Sequence, residues 1–119
     1  MSIFKQYDVR GKYPTEINKK TILRIIQALK VKKIVLGYDN QKNSKALTKD
    51  ILKYLDKKIQ IANLGPAPTS LVPFAVIKLK ADAGIMITAS HLLKNYAGFK
   101  IFGKNGLPIN PKSYKNMVY

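Results

Sequence analysis

Apolar positions change their spacing several times along the chain, and each change predicts an element. Ile22, Ile25, Ile26 and Leu29 recur at helical spacing, with Pro14 and Thr15 as start signals for a first helix. Residues 32–38 (KKIVLGY) hold a short apolar run ended by Gly37, the pattern of a buried strand. Leu47, Ile51 and Leu55 mark one face of a second helix, with Asn43 or Ser44 as its cap. Residues 58–64 (KIQIANL) read as another short strand, closed by Gly65, Pro66 and Pro68. Thr69 caps a third helix running through Leu79, and Pro73 sits near enough to its start to be tolerated. Residues 83–88 (AGIMIT) are a third buried strand that ends in polar residues, and 98–102 (GFKIF) and 107–109 (LPI) flank Lys104-Asn105-Gly106 as the arms of a hairpin.

Strand and helix therefore alternate, which predicts the α/β class. The expected architecture is a single three-layer domain over residues 1–119, with a mixed, mainly parallel sheet, flanking helices and a C-terminal hairpin. At 119 residues with no repeat and no linker-like stretch, one core is expected. Sheets of this kind hold ligands beyond the carboxyl ends of their strands, which directs attention to Thr88–Ala97.

Charge changes the picture next. The chain has 22 Lys+Arg against 6 Asp+Glu, a formal net charge of +16. Such an excess attracts nucleic acid, anionic lipid or a phosphorylated small molecule. The lysines, however, are spread along the whole chain, and arginine occurs only at Arg10 and Arg24. Readers of nucleic acid lean on the bidentate arginine fork, so a solvated lysine-rich surface is favoured over nucleic-acid binding. The absence of cysteine excludes a disulfide framework, thiolate chemistry and Cys-ligated zinc, and it is compatible with a cytoplasmic location. No run of 18 apolar residues exists to span a membrane, and the opening residues do not read as a secretory leader.

Several stretches carry candidate chemistry. Gly98-Phe-Lys-Ile-Phe-Gly103-Lys104-Asn105 falls one residue short of a phosphate-binding loop, with Asn105 where that loop needs a hydroxyl for Mg²⁺. Its interior alternates like a strand, not like a backbone cradle for phosphate. Thr88-Ala89-Ser90-His91 delivers a serine and the chain's single histidine from a strand end, where the histidine could orient or activate the hydroxyl. Lys100, across the start of the next strand, could return a positive charge to the same place. Tyr7-Asp8-Val9-Arg10-Gly11 offers an arginine whose planar fork suits a phosphate, or which simply pairs with Asp8. Asp39, also at a strand end, could bind a cation or cap the following helix. On spacing alone, Thr88–His91 reads as a polar turn rather than a nucleophilic site.

Taken together, Phe4-Lys-Gln-Tyr-Asp-Val-Arg-Gly11, Leu36-Gly-Tyr-Asp39, Leu64-Gly-Pro-Ala-Pro-Thr69, Gly84-Ile-Met-Ile-Thr-Ala-Ser-His91 and Gly98-Phe-Lys100 form an ordered set. That set resembles the first domain of the alpha-D-phosphohexomutases, the phosphoglucomutase and phosphomannomutase family. The resemblance implies that Ser90 carries a transferable phosphate and, as phosphoserine, supplies one ligand to Mg²⁺. It implies that His91 assists proton transfer or orients the sugar hydroxyl. Lys100 resembles the lysine that contacts the transferring phosphate, Arg10 the arginine that steadies the phosphoserine, and Tyr7 falls among the substrate- and phosphate-binding positions. The implied substrate is a hexose phosphate, whose phosphate moves between the 1- and 6-oxygens through a bisphosphate.

The sequence departs from the family pattern at definite places. Leu92 and Leu93 stand where Asn-Pro usually follows the histidine, Ala97 replaces the asparagine before Gly98, and Gln41 replaces an arginine. The Asp-Gly-Asp-x-Asp metal loop does not occur, so the remaining magnesium ligands are not in this chain, and the family's domains II, III and IV have no room in it. The expectation is a phosphohexomutase first domain that needs the other domains or a complementary chain for activity. The alternative is a non-catalytic module binding a protein partner, a sugar phosphate or nucleic acid.

Overall fold

The structure, a computed structural model, describes Ile3, residues 8–89 and residues 95–110. Its elements run β1 (Val9–Lys12), α1 (Lys19–Leu29), β2 (Lys33–Tyr38), α2 (Lys42–Tyr54), β3 (Gln60–Pro66), α3 (Leu71–Lys78), β4 (Ala83–Ala89) and β5 (Tyr96–Gly103). The strands form one sheet in the order β1-β5-β4-β2-β3. β2 pairs in parallel with both β3 and β4, whereas β5 runs antiparallel to β4 and to β1.

Local chemistry sets the helix ends, in places other than the sequence signals suggest. Helix α1 starts at Asn18, whose side-chain oxygen accepts the Thr21 N–H at 3.1 Å. Pro14 and Thr15 lie in the turn before it, where the Asn18 amide donates to the Pro14 carbonyl at 3.0 Å. Gln41 precedes α2, so Asn43 and Ser44 sit inside its first turn. Ser44 faces the core and is fully buried, the wrong side of the helix for a cap. Ser70, not Thr69, precedes α3, and the Thr69 carbonyl accepts the Val72 N–H at 3.2 Å.

Two apolar clusters make the domain three layers thick. Ile22, Ile25 and Ile26 of α1 and Leu47 and Ile51 of α2 close over Ile34, Leu36, Ile85, Phe99 and Ile101. On the other face, Val72, Ala75 and Val76 of α3 cover Val35, Met86 and Phe102. Each fully buried aliphatic side chain contributes about 1.5–3 kcal/mol. Gly84 lets α3 lie close, since a Cβ there would meet Val76 Cγ2 at 2.5 Å and Val72 Cγ1 at 2.7 Å.

The antiparallel part of the sheet differs from the hairpin expectation. The turn exists, with the Gly103 N–H donating to the Leu107 carbonyl at 2.9 Å, but its second arm is reduced to one bridge between Phe102 and Pro108. The far partner of β5 is instead β1, from the other end of the chain. Residues 9–12 alternate buried and exposed, yet the segment is too short for its period to announce a strand.

Candidate functional site

β4 and β5 end together at the pair Ala89 and Ala97, and the chain between them leaves the sheet at the carboxyl end of β4. Ser90, His91, Leu92 and Leu93 lie outside the described residues, as does Tyr7. Both shoulders of that connection are held. On one side the Ala89 N–H donates to Asp39 Oδ2 at 2.9 Å. On the other, the Asn95 carbonyl accepts the N–H of Tyr13, just beyond β1, at 2.6 Å.

Both carboxylate oxygens of Asp39 accept backbone N–H groups. Its second oxygen accepts the Gln41 N–H at 3.0 Å, and its own N–H donates to the Ile87 carbonyl at 3.1 Å. The carboxylate thus stitches the end of β2 to the end of β4. A polar residue after an apolar run was the signal for Asp39, but nothing in the local sequence pointed to Ala89, fifty positions away.

The sheet register brings two of the candidate cations to one face. Arg10 pairs with Gly98, and Gly98 pairs with Thr88, so these three form a row across β1, β5 and β4. Residues directly opposite one another, and residues two apart on one strand, share a face. Lys100, two positions beyond Gly98, therefore stands on the same face as Arg10 and Thr88. Gly98 is required for this closeness, because a Cβ there would meet the Val9 carbonyl oxygen at 2.6 Å and the Arg10 Cα at 3.4 Å. Arg10 is half exposed and ion-paired with Asp8 at 3.1 Å. Lys100 is partly buried and lines a cavity of about 470 Å³ with Thr69, Ser70, Pro73, Phe102 and Pro108.

Ala97, one of the departures from the family pattern, belongs to the opposite face. It is buried among Val9, Phe99 and the rest of the larger core, so its side chain does not look toward Arg10 or Lys100. The phosphate-loop-like stretch is strand β5 and its turn, as its alternation indicated.

The perturbed titrations lie away from this face. The N–H groups of Lys32 and Lys33 hold the Asp82 carboxyl below its ordinary range, with Lys104 adding to the effect. Lys19 and Lys53 lower the Tyr54 phenol, and Lys19 Nζ sits 3.6 Å from the ring centre. Burial, and then the Asp50 carboxylate, raise the Tyr13 phenol. Among the described residues no group of three His, Asp or Glu side chains could hold a metal ion, and no helix is long and apolar enough to cross a membrane. The described part of the site offers cations, backbone and a strand end.

Residues 1–118 match the family model for phosphoglucomutase/phosphomannomutase, alpha/beta/alpha domain I. A Methanosphaera stadtmanae protein named "Probable phosphoglucosamine mutase" is 37% identical over 112 residues, which is 88% of this chain and 25% of that one. The phosphomannomutase of Salmonella montevideo is 36% identical over 115 residues, covering 92% of this chain and 25% of its own length. A Klebsiella pneumoniae phosphomannomutase sequence shows the same 36% identity, and there the match covers 73% of the relative. Among solved structures, a phosphoglucomutase/phosphomannomutase family protein from Burkholderia thailandensis shares the fold with a TM-score of 0.74 at 22% identity, over 98% of this chain and 30% of that one. The structure of a Thermus thermophilus protein described as a phosphomannomutase gives 0.75 at 28% identity, over 98% and 29%. The chain thus spans about a quarter of the length of the Methanosphaera and Salmonella relatives.

Proposed function

This chain belongs to the phosphoglucomutase/phosphomannomutase family through its alpha/beta/alpha domain I, and we propose that it is the phosphoserine-bearing part of a hexose-phosphate mutase. The observation that carries the reading is the row of Arg10, Gly98 and Thr88 with Lys100 two positions on. It sets two cationic side chains on one face of the sheet, near Ala89, the residue that precedes Ser90 in the sequence. A phosphoryl group passing between two oxygens needs alignment and charge neutralisation more than covalent assistance.

In the proposed cycle, Ser90 carries the phosphate as an ester of its Oγ. A hydroxyl of the bound hexose phosphate attacks phosphorus, the P–Oγ bond breaks, and His91 takes the hydroxyl proton. The resulting bisphosphate returns its other phosphate to Ser90 Oγ, and the sugar leaves as the isomeric monophosphate. Arg10 steadies the phosphoserine, Lys100 contacts the phosphate in flight, and Tyr7 contributes to substrate binding. These roles rest on the family resemblance together with the placement of Arg10 and Lys100.

Magnesium fits the described residues poorly, because no group of three His, Asp or Glu side chains gathers among them, and Asp39 stands as a lone carboxylate at the strand end. A magnesium site on Ser90 would need ligands from outside this chain. For the same reason activity requires the parts that the longer relatives carry, in the same polypeptide or a complementary one.

Intact mass with site mapping tests the reading. Protein exposed to a hexose 1,6-bisphosphate together with the remaining mutase domains is expected to gain about 80 Da on Ser90, the mass of one phosphoryl group. A hexose monophosphate should then discharge it. Mutase activity that survives Ser90→Ala, or a phosphate mapped to another residue, would overturn the proposal.

A further inference from the structure

Helix α3 is apolar on its outer side as well as its inner one. Val72, Ala75 and Val76 are buried against the sheet, while Phe74 is 62% and Ile77 58% exposed, with Leu71 also exposed. A helix apolar all round is normally covered on every side. The exposed stripe continues onto the turn after β5. The Cβ position of Gly106 lies 2.8 Å from Ile77 Cδ1, and the neighbouring Leu107 is 62% exposed. Beside the stripe opens the cavity lined by Pro73, Phe102, Pro108 and Lys100.

The border of this patch is cationic. Lys78 and Lys80 flank the end of α3, Lys104 belongs to the turn, and Lys100 lines the cavity. The nearby acid, Asp82, is already engaged by the Lys32 and Lys33 N–H groups and by Lys104 at 3.5 Å. An apolar centre with one sign of charge along its border is the anatomy of a protein interface, steered by complementary charge at its rim.

We infer that the Phe74–Ile77–Leu107 face docks an acidic protein partner, which sets apolar side chains against the stripe and carboxylates against Lys78, Lys80 and Lys104. Charge decides among occupants. A second copy brings another +16 to the same surface and is repelled. Nucleic acid matches the lysines but leaves the apolar centre without a counterpart. A partner seated here also borders Lys100, the cation of the proposed phosphate site. The inference does not depend on mutase chemistry, since it rests on the exposed stripe and its charged rim alone.

Site-specific photocrosslinking of the full chain in its native cells, followed by measured binding, tests it. A benzophenone amino acid at position 74 or 107 should trap one and the same polypeptide, acidic by sequence, that a probe at Lys49 on α2 does not trap. That polypeptide, once purified, should bind the unmodified chain with an affinity that falls as salt rises. Its affinity for Phe74→Ser/Ile77→Ser should drop at least tenfold. Leu107→Ser, on the turn, provides a second variant, and unchanged circular dichroism and melting temperature for each variant keep loss of binding separate from loss of fold. Crosslinks only to another copy of this chain or to nucleic acid, no crosslink, a salt-independent affinity, or equal binding by the folded variants would each overturn the inference. Failure of Ser90 to accept phosphate would leave it standing.

Discussion

Asp39 and Ala89 are joined by a 2.9 Å hydrogen bond from the Ala89 N–H to the carboxylate, across the ends of two parallel strands. This bond acts on the last described residue before Ser90. The strand ladder alone would leave that N–H for solvent, because Asp39 lies one position past the end of β2. The side chain extends the ladder beyond the backbone's own reach.

Removing the carboxylate should therefore loosen the exit of β4. Asp39→Ala leaves the N–H groups of Gln41 and Ala89 without their acceptor, at a cost of about 1–2 kcal/mol. Asp39→Asn keeps one acceptor oxygen, so its stability should fall between that of Asp39→Ala and that of the unmodified chain. Urea denaturation gives the stability change. Amide exchange at Ala89 should accelerate well beyond that at Ile85, in the middle of the same strand. Equal acceleration at both residues would mean that Asp39 supports the fold generally and not the site's edge.

Gly98 is the second hinge of the geometry. A methyl group placed there meets the Val9 carbonyl oxygen at 2.6 Å, and backbone cannot swing aside as a side chain would. Gly98→Ala should cost about 1–3 kcal/mol, as overpacking does. Gly103 on the same strand offers the control, because its nearest atoms stand at 3.5 Å or more. Gly103→Ala should be neutral or stabilise by up to about 1 kcal/mol, by narrowing the unfolded ensemble. Comparable losses in both variants would contradict the close approach of β1 to β5.

What the sequence revealed and what it hid follow from the range of the interactions involved. The cores of β2 and β4 and the inner faces of α1 and α2 were legible, because burial writes its period into neighbouring residues. Helix starts were less so. Ser44 is a good capping residue by type, yet the sheet claims it as a core residue, and a tertiary preference overrode a local one. β1 escaped because its identity as a strand depends on β5, almost ninety residues away. At the site, Arg10 and Lys100 could be singled out one at a time, and their shared face needed the register through Gly98. The role of Asp39 toward Ala89 leaves no local trace at all.

At the other end of the sheet, Asp82 provides a pH test. Its Oδ2 accepts the N–H groups of Lys32 at 2.8 Å and Lys33 at 2.9 Å, and these bonds keep the carboxyl below its usual 3.8. A carboxyl lowered by folding adds stability above its unfolded value and loses that contribution as pH falls through the folded value. Asp82→Ala should therefore cost about 1–2 kcal/mol near neutral pH. The gap to the unmodified chain should begin to narrow as pH falls past the unfolded carboxyl's value of about 3.8 and close as it falls through the lower folded value. Lys104→Ala should change little, since exposed ion pairs contribute under about 1 kcal/mol. A gap independent of pH would assign the effect of Asp82 to packing instead of its charge.

Arg10 and Lys100 separate stability from chemistry most sharply. Arg10 is 48% exposed and its partner Asp8 17% exposed, so the pair is half in water and Arg10→Ala should shift stability by about 1 kcal/mol. If its guanidinium steadies the phosphate on Ser90, the same substitution removes a fixed cation from the place where charge moves. Loss of one such preorganised group lowers rate on the order of 10²-fold. Lys100→Ala should do the same to transfer, whereas Lys49→Ala, a lysine on α2, should leave the rate unchanged. The measurement is the rate at which Ser90 gains phosphate from a hexose 1,6-bisphosphate in the presence of the remaining domains, with melting temperature recorded alongside. Arg10→Lys refines the test. It restores the charge but not the planar fork, so rescue to within a fewfold would mean that Arg10 acts as a point charge. Persistent loss would mean that two parallel hydrogen bonds to phosphate oxygens are what the position supplies, and an undiminished rate in Arg10→Ala would remove the residue from the site.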